Sequence, residues 1–352
     1  MPHVDDNKNL LTSLFTRTSP ARNAYIAKIN SGHLQIAEHG DYSAGAITLK
    51  EARDRIVADY EHQVAVQQEV GDDAVPFARL ITGTQLMAQA FGAEVEQFPD
   101  QMPFARPIAQ NAEEASQIER PELEFCEPLM RVIELGEMVE AEVGTDVPLG
   151  PPDMQTGFDT ACLLWEKSDM FASLYDEEGI RVADQLVARC ASLLADFVAA
   201  LRSRFPQMSP CHCPQVWCPP ELGPWVSNDE AGSIGRDHYD RFCHPELEAL
   251  AERFGSVATH CCADAEHHFS RFRETPNWYA FNRVAGQQGY ASLVSAFPAD
   301  ADDTPLFVMG WVADNDQKML EDHFGRDGSM IFQRTFSTAD EAKRWLASSL
   351  SG

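Results

Sequence analysis

Metal binding and acid–base chemistry both need donor atoms brought to one point, and one stretch carries such donors densely. It runs from Ser256 to Asp264 as Ser-Val-Ala-Thr-His-Cys-Cys-Ala-Asp. A short apolar run between a helical pattern ended by Gly255 and a second helical pattern reads as a buried strand. Strand side chains alternate faces, so His260 and Cys262 share one face and Cys261 takes the other. An imidazole and a thiol then converge, which is half of a zinc site, since zinc wants at least three protein ligands. The plain alternative is a packed strand end, because free cysteine is among the most commonly buried residue types.

A second group of donors is Cys211-His212-Cys213 with Cys218, followed by the Pro- and Gly-rich run Pro219 to Pro224. These donors could form a local zinc knuckle, although structural zinc sites usually draw on two separated ligand pairs. The alternative is a strand ending in buried thiols. Trp217, Trp225, Trp278, Tyr279 and Trp311 stand at or near expected strand ends, where aromatic side chains either line an apolar pocket or fill core. Arg283 follows the Trp278 strand and would pair with a substrate carboxylate or with a surface acid.

The elements that must position these residues follow a strand-then-helix order. Thr48 with Glu51 is a capping-box pattern, and Ile56, Val57, Tyr60 and Val64 recur at helical spacing behind it. Val75 to Ile81 reads as a strand and Gly83 to Gly92 as a short helix. Pro121 is placed in the first turn of a helix running through Met130, Val132, Ile133, Met138 and Val139. The strand Asp146 to Leu149 leads into Gly150-Pro151-Pro152, and the apolar Phe158 to Trp165 is a candidate pocket wall. A long helix spans Glu178 to Arg204, and Asp237 to Phe254 is helical with Pro245 near a restart. After the His260 strand come a helix at Ala265 to Arg273 and strands at Trp278 to Phe281, Leu306 to Val312 and Met330 to Phe332. A helix at Thr338 to Leu350 closes the chain. This alternation predicts a parallel α/β fold, most economically a (β/α)8 TIM-type barrel with its active site at the strand carboxyl ends. Residues 1–41, with only short helical patterns such as Arg22 to Ile29, read as an N-terminal extension, and residues 42–352 as the barrel.

Composition excludes several function classes. The 352 residues are 44% hydrophobic and 23% charged, enough to bury a large core. With 27 Lys and Arg against 55 Asp and Glu, the net charge is −28, which repels nucleic-acid phosphates and anionic membrane surfaces. No signal-peptide core and no run of 18 apolar residues is present, so a cytoplasmic protein is expected. Nine cysteines scattered through such a chain read as reduced thiols. Neither a Gly-x-x-x-x-Gly-Lys loop nor a Gly-x-Gly-x-x-Gly fingerprint occurs.

From about Val75 to the C-terminus the chain resembles the uroporphyrinogen decarboxylase superfamily. The resemblance rests on the order of Phe91-Gly92-Ala93-Glu94-Val95, Glu113-Glu114 and Pro148-Leu149-Gly150-Pro151. Asn228-Asp229 with Ile234 to Tyr239 and Pro245, His260-Cys261-Cys262, and Gly310-Trp311-Val312-Ala313-Asp314 follow. It implies a (β/α)8 barrel acting on a small-molecule substrate, with Asp229 as the acid that orients or protonates it. Asn228, Trp225, Trp278 and Arg283 are the substrate-binding candidates. The Arg-rich N-terminal stretch of true uroporphyrinogen decarboxylases has no counterpart here, so a porphyrinogen's carboxylates would lack their cationic clamp. The chain is nearer the corrinoid-linked methyltransferases, which hold zinc with a His-x-Cys and a later Cys and work with a corrinoid protein. His260 and Cys262 match the first two ligands, but no Cys follows Cys262, and Ile331 to Phe336 reads Ile-Phe-Gln-Arg-Thr-Phe. Asp264, Glu266, His267, His268, Asp314 or a thiol near Cys213 are the candidates to complete a site. The expected function is metal-assisted methyl transfer to or from a corrinoid. The alternatives are metal-free decarboxylation of a tetrapyrrole or other carboxylate, and a non-catalytic binding subunit.

Overall fold

The computed structural model describes residues 4–29, 47–98, 101–284, 289–299 and 304–351. Eight short parallel strands line its centre: β1 (Ala24–Ile29), β2 (Ala78–Arg79), β3 (Leu149–Gly150), β4 (Trp225–Ser227), β5 (Val257–Cys261), β6 (Trp278–Arg283), β7 (Leu306–Gly310) and β8 (Met330–Phe336). Six of them form one parallel sheet in the order β1-β8-β7-β6-β5-β4, and β2 and β3 pair in parallel beside it. A parallel bridge from Gln155 to Ser227 joins the segment after β3 to β4. On the other side Asp73 N–H donates to Tyr25 O, and the Asp73 and Asp72 carboxylates accept the N–H groups of Tyr25 and Ala27, tying β1 to the segment that leads into β2. With helices packed around these strands the architecture is an α/β fold of the TIM-barrel type.

The helices start where local chemistry dictates. Thr48 accepts the Glu51 N–H while Glu51 accepts the Thr48 N–H, so the expected capping box opens the helix Leu49–Val70, and Gly71 closes it in a left-handed conformation at φ 71°. Asp176 caps Glu177–Arg204, whose buried stripe includes Val182, Leu186, Leu193 and Phe197. Pro128, rather than Pro121, occupies the first turn of Glu127–Val143.

Three expectations change. The helical pattern at Arg22 to Ile29 is the strand β1, because Ala24, Tyr25, Ile26 and Ala27 are buried on both faces once paired with β8, and tertiary burial overrides a short periodicity. These residues of the expected extension therefore belong to the central sheet; the expected division between 41 and 42 lies outside the described residues. Ala265 to Arg273 is a 3₁₀ turn at Glu266–His268 followed by the one-turn helix Phe269–Phe272. A hairpin of Val95–Phe98 and Gln101–Ala105 stands where no strands were expected.

Two apolar clusters divide the core. The larger lies between the strands and the surrounding helices. The smaller fills the lower barrel with Trp225, Ala258, Ala280, Leu306 and Val308, and the helix Val4–Phe15 seals it with Leu11, Leu14 and Phe15. Phe15 meets Trp225 and Tyr279 edge-on, with ring centroids 6.5 and 6.3 Å away. Among the described residues no helix is long and apolar enough to cross a membrane.

Candidate metal centre

The strand alternation that put His260 and Cys262 on one face is realised. Cys261 is buried in the cluster behind the sheet, while the His260 and Cys262 side chains come together with Asp229, a residue just beyond β4. One ligand atom from each of Asp229, His260 and Cys262 lies within 4.8 Å of the other two. They are the one three-donor cluster among the described residues. His260 is buried, Asp229 half-buried and Cys262 exposed, so the cluster opens to solvent on its thiol side.

Registry places these groups. Ser227, His260 and Asn282 are lateral neighbours on β4, β5 and β6. His260 Nδ1 lies 2.5 Å from Asn282 Oδ1, and the Asn282 amide nitrogen donates in turn to Val308 O on β7. The amide's orientation makes its oxygen the acceptor, so the imidazole carries its proton on Nδ1 and turns Nε2 to the cluster. Nε2 is 3.8 Å from Asp229 Oδ1, and an acceptor on the other ring nitrogen, here Asn282 Oδ1, is what fixes the ring of a metal-ligating histidine. Asp229 Oδ1 also accepts the Cys262 N–H at 2.6 Å, joining the two strand ends. Asp159 braces Asp229 from behind by accepting the N–H groups of Asp229 and Glu230 at 2.7 and 3.0 Å.

The charges interact strongly. Burial opposes a charged His260, yet its interactions with Cys213 and Asp229 prevail and hold its pKa well above the ordinary histidine value. Burial raises the Cys262 thiol, and Asp229 adds to that while His260 opposes it. Burial and the neighbouring Asp229 also drive the Asp159 carboxyl well above the usual range.

The donor types suit zinc. With bond lengths of about 2.0–2.3 Å, tetrahedral ligands stand roughly 3.3–3.8 Å apart, so a side-chain contraction of about 1 Å brings this set to coordination distance.

The other sequence candidates lie elsewhere. Trp225 faces the barrel interior but at its lower end, under Phe15 and Tyr279. Trp278 turns outward to the helix layer, where its Nε1 donates to Thr259 Oγ1 at 3.0 Å. Arg283 is fully buried, donating to Ala263 O at 2.6 Å and pairing with Asp264 and Glu266, so it anchors the loop that carries Cys262. Asn228 is buried beside Asp229, and alternation puts its side chain on the opposite face from Ser227 and Asp229. Strand parity separates Arg283 from the centre, the register irregularity between Trp278 and Ala280 turns Trp278 outward, and depth separates Trp225. Trp311 is half exposed at the carboxyl end of β7 with a left-handed φ of 60°. Of the residues considered for a third ligand, Asp264 and Glu266 pair with Arg283, His267 and His268 bond to Ile234 O, and Asp314 pairs with Arg334.

Cys211 to Cys218 do not form a knuckle. The segment crosses the barrel: Gln333 on β8 donates to Gln215 O at 2.5 Å, Lys28 on β1 donates to Gln215 Oε1 at 3.0 Å, and Pro214 lies under Gly310 on β7. Cys211 and Cys218 join the lower apolar cluster. His212 is buried between Ser227 and Asp153, with its Nε2 3.4 Å from Ser227 Oγ and its Nδ1 3.5 Å from Asp153 Oδ2. Burial lowers the His212 pKa. Asn282, Asp153 and Asp159 carried no sequence signal, because their roles depend on which strands become neighbours.

Among solved structures the chain is similar to a methyltransferase from Methanosarcina mazei, with a TM-score of 0.62, 12% identity and 97% of each chain covered. The likeness is one of fold. A beta-mannanase from a symbiotic protist of the termite Reticulitermes speratus, complexed with gluco-manno-oligosaccharide, aligns at a TM-score of 0.42 and 11% identity over 97% of this chain and 90% of that one. No protein-family profile and no curated protein matches the sequence.

Proposed function

We propose that the chain is a methyl-transfer enzyme whose centre, held by His260, Cys262 and Asp229, activates a thiol or substrate for transfer to or from a corrinoid carried on a separate protein. The observation that carries this reading is the convergence of three unlike donors at the carboxyl ends of β4 and β5, with the imidazole already turned by Asn282. A bound zinc ion would supply Lewis acidity, lowering the pKa of a thiol so that it attacks as a thiolate. His260 and Cys262 would hold the ion through Nε2 and Sγ. Asp229 is placed either to close the ligand set or to take the proton that the thiol gives up, since its carboxylate faces both side chains. Asn282 holds the imidazole's orientation, and Arg283 holds the loop behind Cys262.

A second reading, metal-free decarboxylation, is favoured by the raised pKa of His260 beside Asp229, which suits a general acid that protonates a carbanion. Metal analysis of untagged protein separates the two. On the first reading about one zinc per chain is retained and is lost in His260→Ala and Cys262→Ser. Zinc-free wild-type protein, or unchanged metal in Cys262→Ser, would refute it. Demethylation of free methylcobalamin by the isolated chain with a thiol acceptor would exclude a purely binding role.

A further inference from the structure

Arg283 is committed to the loop behind Cys262, but a different arginine faces the barrel interior. Val75 and Phe77 belong to the lower barrel cluster, and Ala78 and Leu80 to the layer under the helices, so alternation turns Arg79 inward at the carboxyl end of β2. Its lateral partner on β3 is Gly150, which puts no side chain beside it. Arg79 is half-buried, and its guanidinium makes no hydrogen bond or ion pair among the described residues. Arg120 and Arg283 also have a buried Nε without a partner, but both pair with acids through their other nitrogens. In a chain of 55 acidic against 27 basic residues, an inward cation with no counter-ion stands out, and unmet buried donors are unfavourable until a ligand's oxygens meet them.

The acids around Arg79 are engaged elsewhere. Asp153 accepts from Gln155 and lies 3.5 Å from His212 Nδ1, and Asp59 accepts from Gln63 at 2.7 Å. Burial opposes an ionised Asp153, yet His212, Gln155 and, least of the three, Arg79 hold its pKa below the ordinary value. The β2 exit is also linked to the centre. Thr82 Oγ1 accepts the Asp153 N–H at 3.0 Å, Asp153 meets His212, and the His212 ring centroid is 6.2 Å from that of His260. β2 and β5 stand three strand spacings apart round the wall, roughly 14 Å. The Arg79 side chain and the imidazole shorten that span from both ends, which suits a small molecule.

A guanidinium's planar fork matches the two oxygens of a carboxylate. The net charge of −28, with Asp59 and Asp153 close by, disfavours a dianion such as phosphate against a monoanion. We propose that Arg79 binds the carboxylate of a small monoanionic substrate whose other end meets the Asp229, His260 and Cys262 centre. The reading of that centre supplies only where the reacting end lies; the carboxylate site holds whether or not a metal is bound there.

Calorimetric titration of the full-length chain, metal-stripped and zinc-loaded, with thioglycolate and with its neutral counterpart mercaptoethanol tests this. Wild type is expected to bind the carboxylate about 10–100-fold more tightly than the alcohol. Arg79→Gln is expected to lose that preference, with mercaptoethanol affinity and zinc stoichiometry unchanged, and Arg79→Lys to keep part of it. Phenylglyoxal labelling of wild-type protein, read by peptide mass spectrometry, needs no variant to fold: thioglycolate, but not mercaptoethanol, is expected to protect Arg79. No preference for thioglycolate in wild type, absence of binding included, overturns the proposal, as does a preference kept by folded Arg79→Gln or an Arg79 that thioglycolate leaves unprotected. Zinc-free wild type that still shows the Arg79-dependent preference removes the metal reading and leaves this one standing; zinc retention without the preference does the reverse.

Discussion

Replacing Asn282 with Leu tests whether the imidazole is set for a metal by its neighbour or merely packed. Leu shares the branching and heavy-atom count of Asn and would keep the buried position filled, but it removes the oxygen 2.5 Å from His260 Nδ1 and the amide that donates to Val308 O. Loss of a hydrogen-bond partner behind a metal-ligating imidazole typically costs 10–100-fold in metal affinity, or roughly 1.4–2.8 kcal/mol. Leaving two buried polar groups without this amide should also lower folding stability by about 2 kcal/mol. Zinc affinity of metal-stripped wild-type and variant proteins, measured by chelator competition, gives the first quantity, and urea unfolding of the metal-free forms gives the second. Asn282→Asp keeps an acceptor on Nδ1 and should retain most of the affinity. If Asn282→Leu binds zinc within about twofold of wild type while losing the expected stability, the orienting role is wrong.

Three further outcomes follow from the packing and charges. Arg283→Met removes the buried cation from Glu266, Asp264 and Ala263 O and should destabilise the fold by about 3 kcal/mol or more, with weaker zinc binding through the loosened Cys262 loop; a change confined to substrate KM would instead favour a substrate-carboxylate role. Burial pushes Glu246 up to about 8, even though it accepts the Gly157 N–H. An acid whose folded pKa is raised stabilises the fold most below its unfolded value near 4.5 and loses that contribution as pH climbs to about 8, by up to about 1.4 kcal/mol per unit. The stability of wild type relative to Glu246→Gln should therefore fall between pH 5 and 8 in urea titrations, and a pH-independent difference would contradict the assignment. Phe15→Ala, at the barrel floor against Trp225 and Tyr279, should cost about 3–5 kcal/mol in the same assay while leaving zinc stoichiometry unchanged; loss of zinc from folded variant would tie the floor to the centre.

Local rules carried the reading of individual elements a long way. The Thr48–Glu51 box, the stripe of Glu177–Arg204 and the placement of Cys261 opposite His260 and Cys262 all depend on neighbours within a few residues, where helix and strand periodicity act. The same alternation turns Arg283 away from the centre once its strand's lateral alignment is known, whereas Trp278 faces outward because β6 shifts register between Trp278 and Ala280, which the sequence does not show. Depth was not readable for Trp225, because what lies beneath it is Phe15, some 210 residues earlier in the chain. β1 was missed for a related reason: a strand buried on both faces carries no alternating pattern and is recognised by its partner β8, which lies at the other end of the chain.

By itself the sequence determined the repeated strand-and-helix order, a net charge of −28 that repels polyanions, and the pairing of one imidazole with one thiol on a strand face. Tertiary structure alone decided that Asp229 joins them, that Asn282 turns the ring, and that the Cys211 to Cys218 segment crosses the barrel. Each of these depends on the order and registry of parallel strands. That registry is set by the burial of the whole barrel and leaves no signature in the spacing of the residues it brings together.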